Sequence, residues 1–345
     1  MLIARAPVRI SFAGGGTDLE AYYAEHGGMV VSTTIDKYFY VFITPNQGGS
    51  LQLTSSDYRA FYRHTNGEPL LWDGDLRLPK AILHEFGIDG GLSIFLASEV
   101  PSGTGLGSSS TVAVALIKAL STYVGRPVSR HEVAATACYI EIDKLGEPIG
   151  RQDQYAAAFG GINAIYFEAR GTDVERLELS PPARQALGES LLLFFTGSSR
   201  RASQILHQQR ESVSRRDPTV VEALHFMKAA ASECRELLLA ADIEGLGGLL
   251  HRCWLQKKRL ARGISNPQID QWYEVARQHG ALGGKVTGAG GGGFLLLVCP
   301  PERQAALTEA LQREGLYRMD FCLEDAGAKV LTNTSSLSPT EVAVA

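Results

Sequence analysis

Nowhere does the chain carry an apolar run of the roughly 18 residues needed to cross a bilayer. Its start, MLIARAPVRISF, lacks both a lysine-rich opening and a long apolar core ending in small residues. Neither a membrane span nor a secretory leader is expected, and the chain reads as cytoplasmic. Cysteines are few: Cys138, Cys234, Cys253, Cys299 and Cys322 are odd in number, widely spaced and form no CxxC pair. That pattern argues against a disulfide framework and against a thiolate metal site, and it fits a reducing compartment. Positive charge is not in surplus either. With 33 basic and 37 acidic side chains the formal charge is −4, so no overall basic field exists to hold nucleic acid or an anionic membrane. A small molecule is the expected partner.

Two common catalytic motifs are also missing. No lysine follows the glycines as GxxxxGK[ST] requires, and GxSxG fails because Thr111 stands where its last glycine should be. A formal GxGxxG at Gly288–Gly293 leads into the apolar run Phe294–Val298 instead of opening a helix, which removes the dinucleotide-binding context.

What is present is ordinary globular material: 345 residues, 45% hydrophobic and 20% charged, enough for about two domains. β-Branched and aromatic clusters predict strands over 2–12 and 28–43, with further extended runs near 51–55, 92–96, 161–167 and 191–196. Helical periodicity fits 78–86, 108–124 and 131–143. Beyond residue 200 long amphipathic runs dominate, at 202–215, 220–241 and 244–260, with a break at Asp217-Pro218. A strand at 294–298, a helix at 302–314 and a short strand at 317–322 close the pattern. The expected class is α+β, with domains at 1–180 and 181–333 divided near Ser180-Pro181-Pro182 and a frayed tail at 334–345.

Four segments carry chemistry. The first is VPSGTGLGSSST, Val100–Thr111, between an apolar strand and a helical run. Gly103, Gly105 and Gly107 permit positive φ and close backbone approach, so N–H groups around Thr104, Leu106 and the helix start can converge on a polyphosphate. Ser108, Ser109 and Ser110 can cap the helix or place hydroxyls on a phosphate or its Mg²⁺. A flexible turn with an N-cap serine accounts for the same residues. The second, Lys285–Phe294, has five glycines in six positions, including Gly290 and Gly291, which suits close approach to a ligand or a tight packing turn. The third, Pro7–Asp18, ends a strand in Gly14-Gly15-Gly16-Thr17, with Asp18 placed to accept hydrogen bonds from substrate hydroxyls or to cap helix 19–26. The fourth, Glu141–Tyr155, is dense in carboxylates, of which Glu141 and Asp153 are either functional or solvated surface charges.

Taken together, these segments resemble the GHMP kinases, the superfamily of galactokinase, homoserine kinase, mevalonate kinase and phosphomevalonate kinase. PVRISFAGGGTD, PSGTGLGSSST and KVTGAGGGGFLLLV are similar to its three motifs in their order along the chain. STTIDKY (32–38), GRQDQYAAAFGG (150–161) and TGSSRRAS (196–203) are most similar to the D-glycero-D-manno-heptose 7-phosphate kinases. The resemblance implies an N-terminal domain like ribosomal protein S5 domain 2, a C-terminal domain of ferredoxin-like character, and an active site between them. It also implies ATP and Mg²⁺, and phosphorylation of the anomeric hydroxyl of a sugar 7-phosphate, with room for a homodimer.

Carried over position by position, Asp153 orients or deprotonates the attacking hydroxyl beside Arg9, Gly103–Ser110 hold the ATP phosphates, and Ser109 and Glu141 hold Mg²⁺. The spacing from Glu141 to Asp153 is one residue longer than in mevalonate kinases. Asp18 matches a sugar-hydroxyl ligand of galactokinases, whereas Gly15-Gly16 replace the Glu-His that those enzymes carry. Because a guanidinium favours the ionised form of a neighbouring carboxylate, orientation by Asp153 is favoured over early proton abstraction. Arg200 and Arg201, with their planar donors, are candidates for a second phosphate site. A kinase for another sugar or sugar phosphate, and a sensor that binds without turnover, are the alternative readings.

Overall fold

A computed structural model describes residues 1–57, 59–64, 69–197 and 202–334. In chain order the first half comprises β1 (Leu2–Ala13), α1 (Glu20–His26), β2 (Gly28–Pro45), β3 (Leu51–Ser55), β4 (Ala60–His64), α2 (Arg77–Glu85), β5 (Leu92–Ser98), α3 (Ser108–Tyr123), α4 (Arg130–Cys138), a π-helical turn (Tyr139–Lys144), α5 (Gln152–Phe159), β6 (Ile162–Glu168) and β7 (Gly171–Arg176). The second half comprises α6 (Pro181–Ser190), β8 (Leu191–Phe195), α7 (Ala202–Ser214), α8 (Pro218–Leu239), α9 (Ile243–Lys257), α10 (Pro267–Gln278), β9 (Gly283–Val286), β10 (Phe294–Val298), α11 (Gln304–Arg313), β11 (Tyr317–Met319), β12 (Leu323–Glu324) and β13 (Lys329–Asn333).

Two sheets and their helices form three cores. The larger sheet runs β13-β1-β2-β5-β3-β4, with β6, β7 and β12 joined through β2, and only β3 and β5 pair in parallel. β1 shows why a long apolar strand was legible: Leu2, Ala4 and Ala6 pack with α3, α4 and α5, while Val8, Ile10 and Phe12 pack toward the second sheet. The smaller sheet, β11-β8-β10-β9, is covered on both faces. Leu191 and Leu193 of β8 point to the core shared with the first sheet, whereas Leu192 and Phe194 point to a third core with Trp254, Tyr273 and Leu307. Period-two alternation within an all-apolar run is what burial on both faces demands.

The differences from the sequence reading have local causes. The helix expected over 131–143 is α-helical only to Cys138 and then widens into the π turn. Ser180-Pro181-Pro182, where the domain boundary is expected, starts α6: the Ser180 hydroxyl accepts from Ala183 N at 3.4 Å, and the prolines occupy first-turn positions that need no N–H donor. The strand expected over 317–322 stops at Met319. β12 and β13, which follow residue 180, pair with β2 and β1 of the first sheet. Arg200, Arg201 and the tail from 335 onward lie outside the described residues.

Candidate active site

The glycine loop 103–107 runs from β5 into α3, and all three of its glycines adopt positive φ, between 72° and 81°. It is pinned from two sides. On one, Arg9 N donates to Leu106 O at 3.0 Å and Arg9 Nη1 to Gly105 O at 2.6 Å. On the other, Thr287 Oγ1 donates to Thr104 O at 3.1 Å. The second glycine-rich segment therefore has a backbone partner. A methyl at Gly288 would sit 2.4 Å from Gly105 Cα, and one at Gly293 would sit 2.3 Å from Thr104 O. The expected serine cap of α3 is not formed: Gly107 is the N-cap, and no side-chain cap bond is made there. That end is left for an anion, to which it presents backbone donors and the positive end of the helix dipole.

Asp153 faces this loop. Arg9, buried on β1, donates from Nε to Asp153 Oδ1 at 2.8 Å, and its Nη2 forms an ion pair with the same oxygen at 2.6 Å. Both contacts use Oδ1. The other oxygen, Oδ2, would lie 3.1 Å from a methyl at Gly107, so it faces the glycine loop with its lone pairs uncommitted to Arg9. The juxtaposition needs a tight approach, and glycine at position 107 provides it.

The two other carboxylates are buried. Asp18 accepts from Gly16 N at 2.9 Å, Gln152 N at 3.2 Å and Gln152 Nε2 at 3.0 Å, and Gly150 packs flush against it. It does not cap α1, whose N-cap is Leu19. Burial raises its pKa, the neighbouring charge of Asp153 raises it further, and the backbone N–H groups oppose both. Glu141 is carried inward by the π turn, where Leu145 N bonds Ile140 O at 3.0 Å, a five-residue step. A π turn consumes one residue more than an α turn. Ser110 Oγ donates to Glu141 Oε1 at 3.1 Å and Gln154 Nε2 to Oε2 at 2.7 Å. Burial pushes the carboxyl up to about 8. Ser110, not Ser109, is thus its partner in the chain, while exposed Ser109 lines the cavities on either side.

All four segments meet at one cavity of about 200 Å³, lined by Arg9, Gly15, Gly16, Asp18, Gly103, Gly105, Gly107, Ser108, Ser109, Ser110, Glu141, Asp153 and Gly288. A second cavity of about 240 Å³, between the start of α2 and the start of α3, shares Ser109, Glu141 and Glu147 with it. Not every candidate reaches the cavity. Thr104 and Leu106 are buried behind the loop. Gly14 packs on Met29 O, and Thr17 bonds Gly14 O and Met29 O. Gly290 and Gly291 pack on Ile264, with Gly291 N donating to Ile264 O at 2.8 Å.

Profiles described as GHMP kinases N terminal domain and GHMP kinases C terminal match residues 76–161 and 234–316. A Campylobacter jejuni protein named D-glycero-alpha-D-manno-heptose 7-phosphate kinase is 33% identical across 94% of this chain and 97% of its own. The chain belongs to the GHMP kinases. It is accordingly a phosphotransferase. A solved D-glycero-D-manno-heptose 1-phosphate kinase from Bacteroides thetaiotaomicron superposes with a TM-score of 0.82 at 28% identity, covering 97% of this chain and all of that one. The L-fucokinase/L-fucose-1-P guanylyltransferase of Bacteroides fragilis is 26% identical over 94% of this chain, which spans 38% of that longer protein.

Sequence reasoning about this GHMP kinase missed two lysines. Lys285 and Lys257 both line the cavity and are buried, with Lys285 Nζ bonded to Phe12 O at 2.7 Å and Lys257 Nζ to Val286 O and Gly288 O at 2.9 and 2.6 Å. Burial pushes Lys285 down to about 8 and lowers Lys257 well below its ordinary range; the positive charge of Arg9 lowers both further, and that of Lys285 lowers Lys257. A signal existed for Lys257, since it follows Leu250 and Cys253 on the buried stripe of α9 at spacings of seven and four.

Proposed function

We propose that this GHMP kinase transfers the γ-phosphoryl group of ATP to the anomeric hydroxyl of a sugar 7-phosphate, with D-glycero-D-manno-heptose 7-phosphate as first candidate. One observation carries the reading: a carboxylate with one oxygen fixed by a buried arginine stands against the turn of a glycine loop that opens an uncapped helix. Phosphoryl transfer asks the protein mainly for positioning and charge neutralisation. The loop and the first turn of α3 would hold the β- and γ-phosphates through backbone N–H groups. Asp153 Oδ2 would accept the acceptor's hydroxyl proton in a hydrogen bond and aim its oxygen, while Arg9 fixes the carboxylate. The two cavities joined at Ser109 and Glu141 suit a polyphosphate bridging a nucleoside on one side and an acceptor on the other.

The donor set fits Mg²⁺, which takes hard oxygens and is held by one or two carboxylates plus substrate phosphates. Glu141 and Ser109 would hold it, and the ion would supply neutralisation of charge developing on the leaving group. Asp18 would bind a sugar hydroxyl. Arg200 and Arg201 are proposed for the 7-phosphate: changing either to Ala raises KM for a phosphorylated acceptor and leaves that for ATP alone, and unchanged kinetics remove the assignment. The deciding experiment is ADP release over heptose 7-phosphate, fucose, galactose and N-acetylhexosamines. ATP binding without turnover of any acceptor would instead favour a sensor.

A further inference from the structure

Three buried polar atoms around Gly15 and Gly16 have no hydrogen-bond partner among the described residues: Ser11 Oγ, Gln152 Oε1 and Gln209 Nε2. All three residues line the cavity that holds Asp153. Gln209 lies on the buried stripe of α7 between Ile205 and Val213 and is 5% exposed. A methyl on Gly16 would fall 2.4 Å from its amide nitrogen, and one on Gly15 would fall 3.8 Å from Ser11 Oγ and 3.9 Å from the Gln152 amide nitrogen. The two glycines are therefore the space through which these polar ends reach the cavity, and Gly16 has Gln209 on one side and Asp18, through its own N–H, on the other.

An unpartnered buried donor or acceptor is costly, and of the twelve such side-chain atoms among the described residues these three share one cavity wall. Three around one turn of one cavity are matched by a ligand rich in hydroxyls, each able to donate and accept. We infer that Gln209 is a specificity-determining residue of the acceptor site, its amide N–H groups donating to a sugar hydroxyl, with Ser11 and Gln152 completing the same polar wall. The inference rests on the kinase reading above and narrows its acceptor to a polyol: a hydroxy acid with few hydroxyls leaves part of the wall unpaired, the situation that gives the strongest discrimination between related substrates.

The test uses the full chain, heptose 7-phosphate and its monodeoxy analogues, with ADP release and acceptor binding by calorimetry read separately. Gln209→Met keeps the length and removes the amide. Expected are a melting midpoint equal to or above that of the unsubstituted protein, a nucleotide KM within twofold, and an acceptor KM and Kd raised ten- to a hundredfold. One monodeoxy analogue, weak on the unsubstituted protein, should bind both proteins alike. Ser11→Ala should show the same split with a different analogue, so the inference does not depend on one variant's folding. Unchanged acceptor affinity and unchanged discrimination in Gln209→Met would overturn it, as would a fallen midpoint with both KM values rising together. If the protein binds the sugar without releasing ADP, the kinase reading falls and the binding arm alone decides for Gln209. If it binds none of the polyols, the inference falls.

Discussion

At the scale of single residues, the site is a balance between groups that the fold would sooner exclude. Asp18 and Glu141 are held where burial opposes their charge, and Lys257 and Lys285 likewise. Asp153→Asn should lower kcat by about 10²–10⁴, the usual worth of a positioned proton acceptor, with ATP affinity retained in an equilibrium binding measurement. Gly107→Ala should lower turnover as well, because its methyl would crowd Asp153 Oδ2 at a φ of +78°. Lys285 supplies a pH test. Its folded value is about 8 against an ordinary 10.5, so between those limits the unfolded chain holds a proton that the folded chain has released. Stability should climb with pH across that window and be flat below it on this account. In urea melts from pH 7.5 to 10.5, the difference between the unsubstituted protein and Lys285→Met should change by a few kcal/mol in that direction.

Much of this was legible from residue type and order. Arg9, Asp153 and the loop glycines stand in patterned segments whose chemistry needs them. Gln209 and Gln154 were not legible, because each is a polar residue in a helix and only the packing decides that it faces a cavity instead of water; Lys257 was legible only through its place on the buried stripe of α9.

At the scale of elements, two devices stand out. The π turn inserts a residue into the helix that carries Glu141, and the hairpin from β9 to β10 clamps the glycine loop from behind. In the hairpin the sequence reading had left ligand approach and tight packing open, and the backbone contacts of Gly288 and Gly293 favour packing. Gly288→Ala forces a methyl against Gly105 Cα. It should cost about 1–3 kcal/mol as overpacking and raise KM for ATP more than for the acceptor, as checked by urea melts and paired kinetics. The strands announced themselves by β-branched and aromatic runs, and α8 by its Asp217-Pro218 start. The π turn could not be read ahead, since its residues have ordinary helical composition and the widened spiral follows from the demand that Glu141 point inward.

For the molecule as a whole, the phrases that most resemble the heptose kinases serve partly to stitch it together. Thr34 Oγ1 accepts from Gly161 N at 2.7 Å and donates to Glu324 O at 2.7 Å, and Asp36 Oδ1 accepts from Cys322 N at 2.7 Å. A likeness in such positions reports the frame around the site as much as the acceptor within it. Ending the chain at Ala328 removes β13 and exposes the edge of β1. Relative to a chain ended at Thr334, it should melt several degrees lower and associate on heating, as differential scanning calorimetry and light scattering would show.

The pairing of Leu2 with Asn333 and Arg5 with Lys329 also bears on biosynthesis. At roughly 5–20 residues per second, a ribosome needs on the order of 15–60 s to deliver the neighbour that shields the first strand it made. Throughout that interval a nascent ribbon of unpaired amides faces solvent, and a holdase that shelters it should raise the yield of active enzyme more than one acting after release.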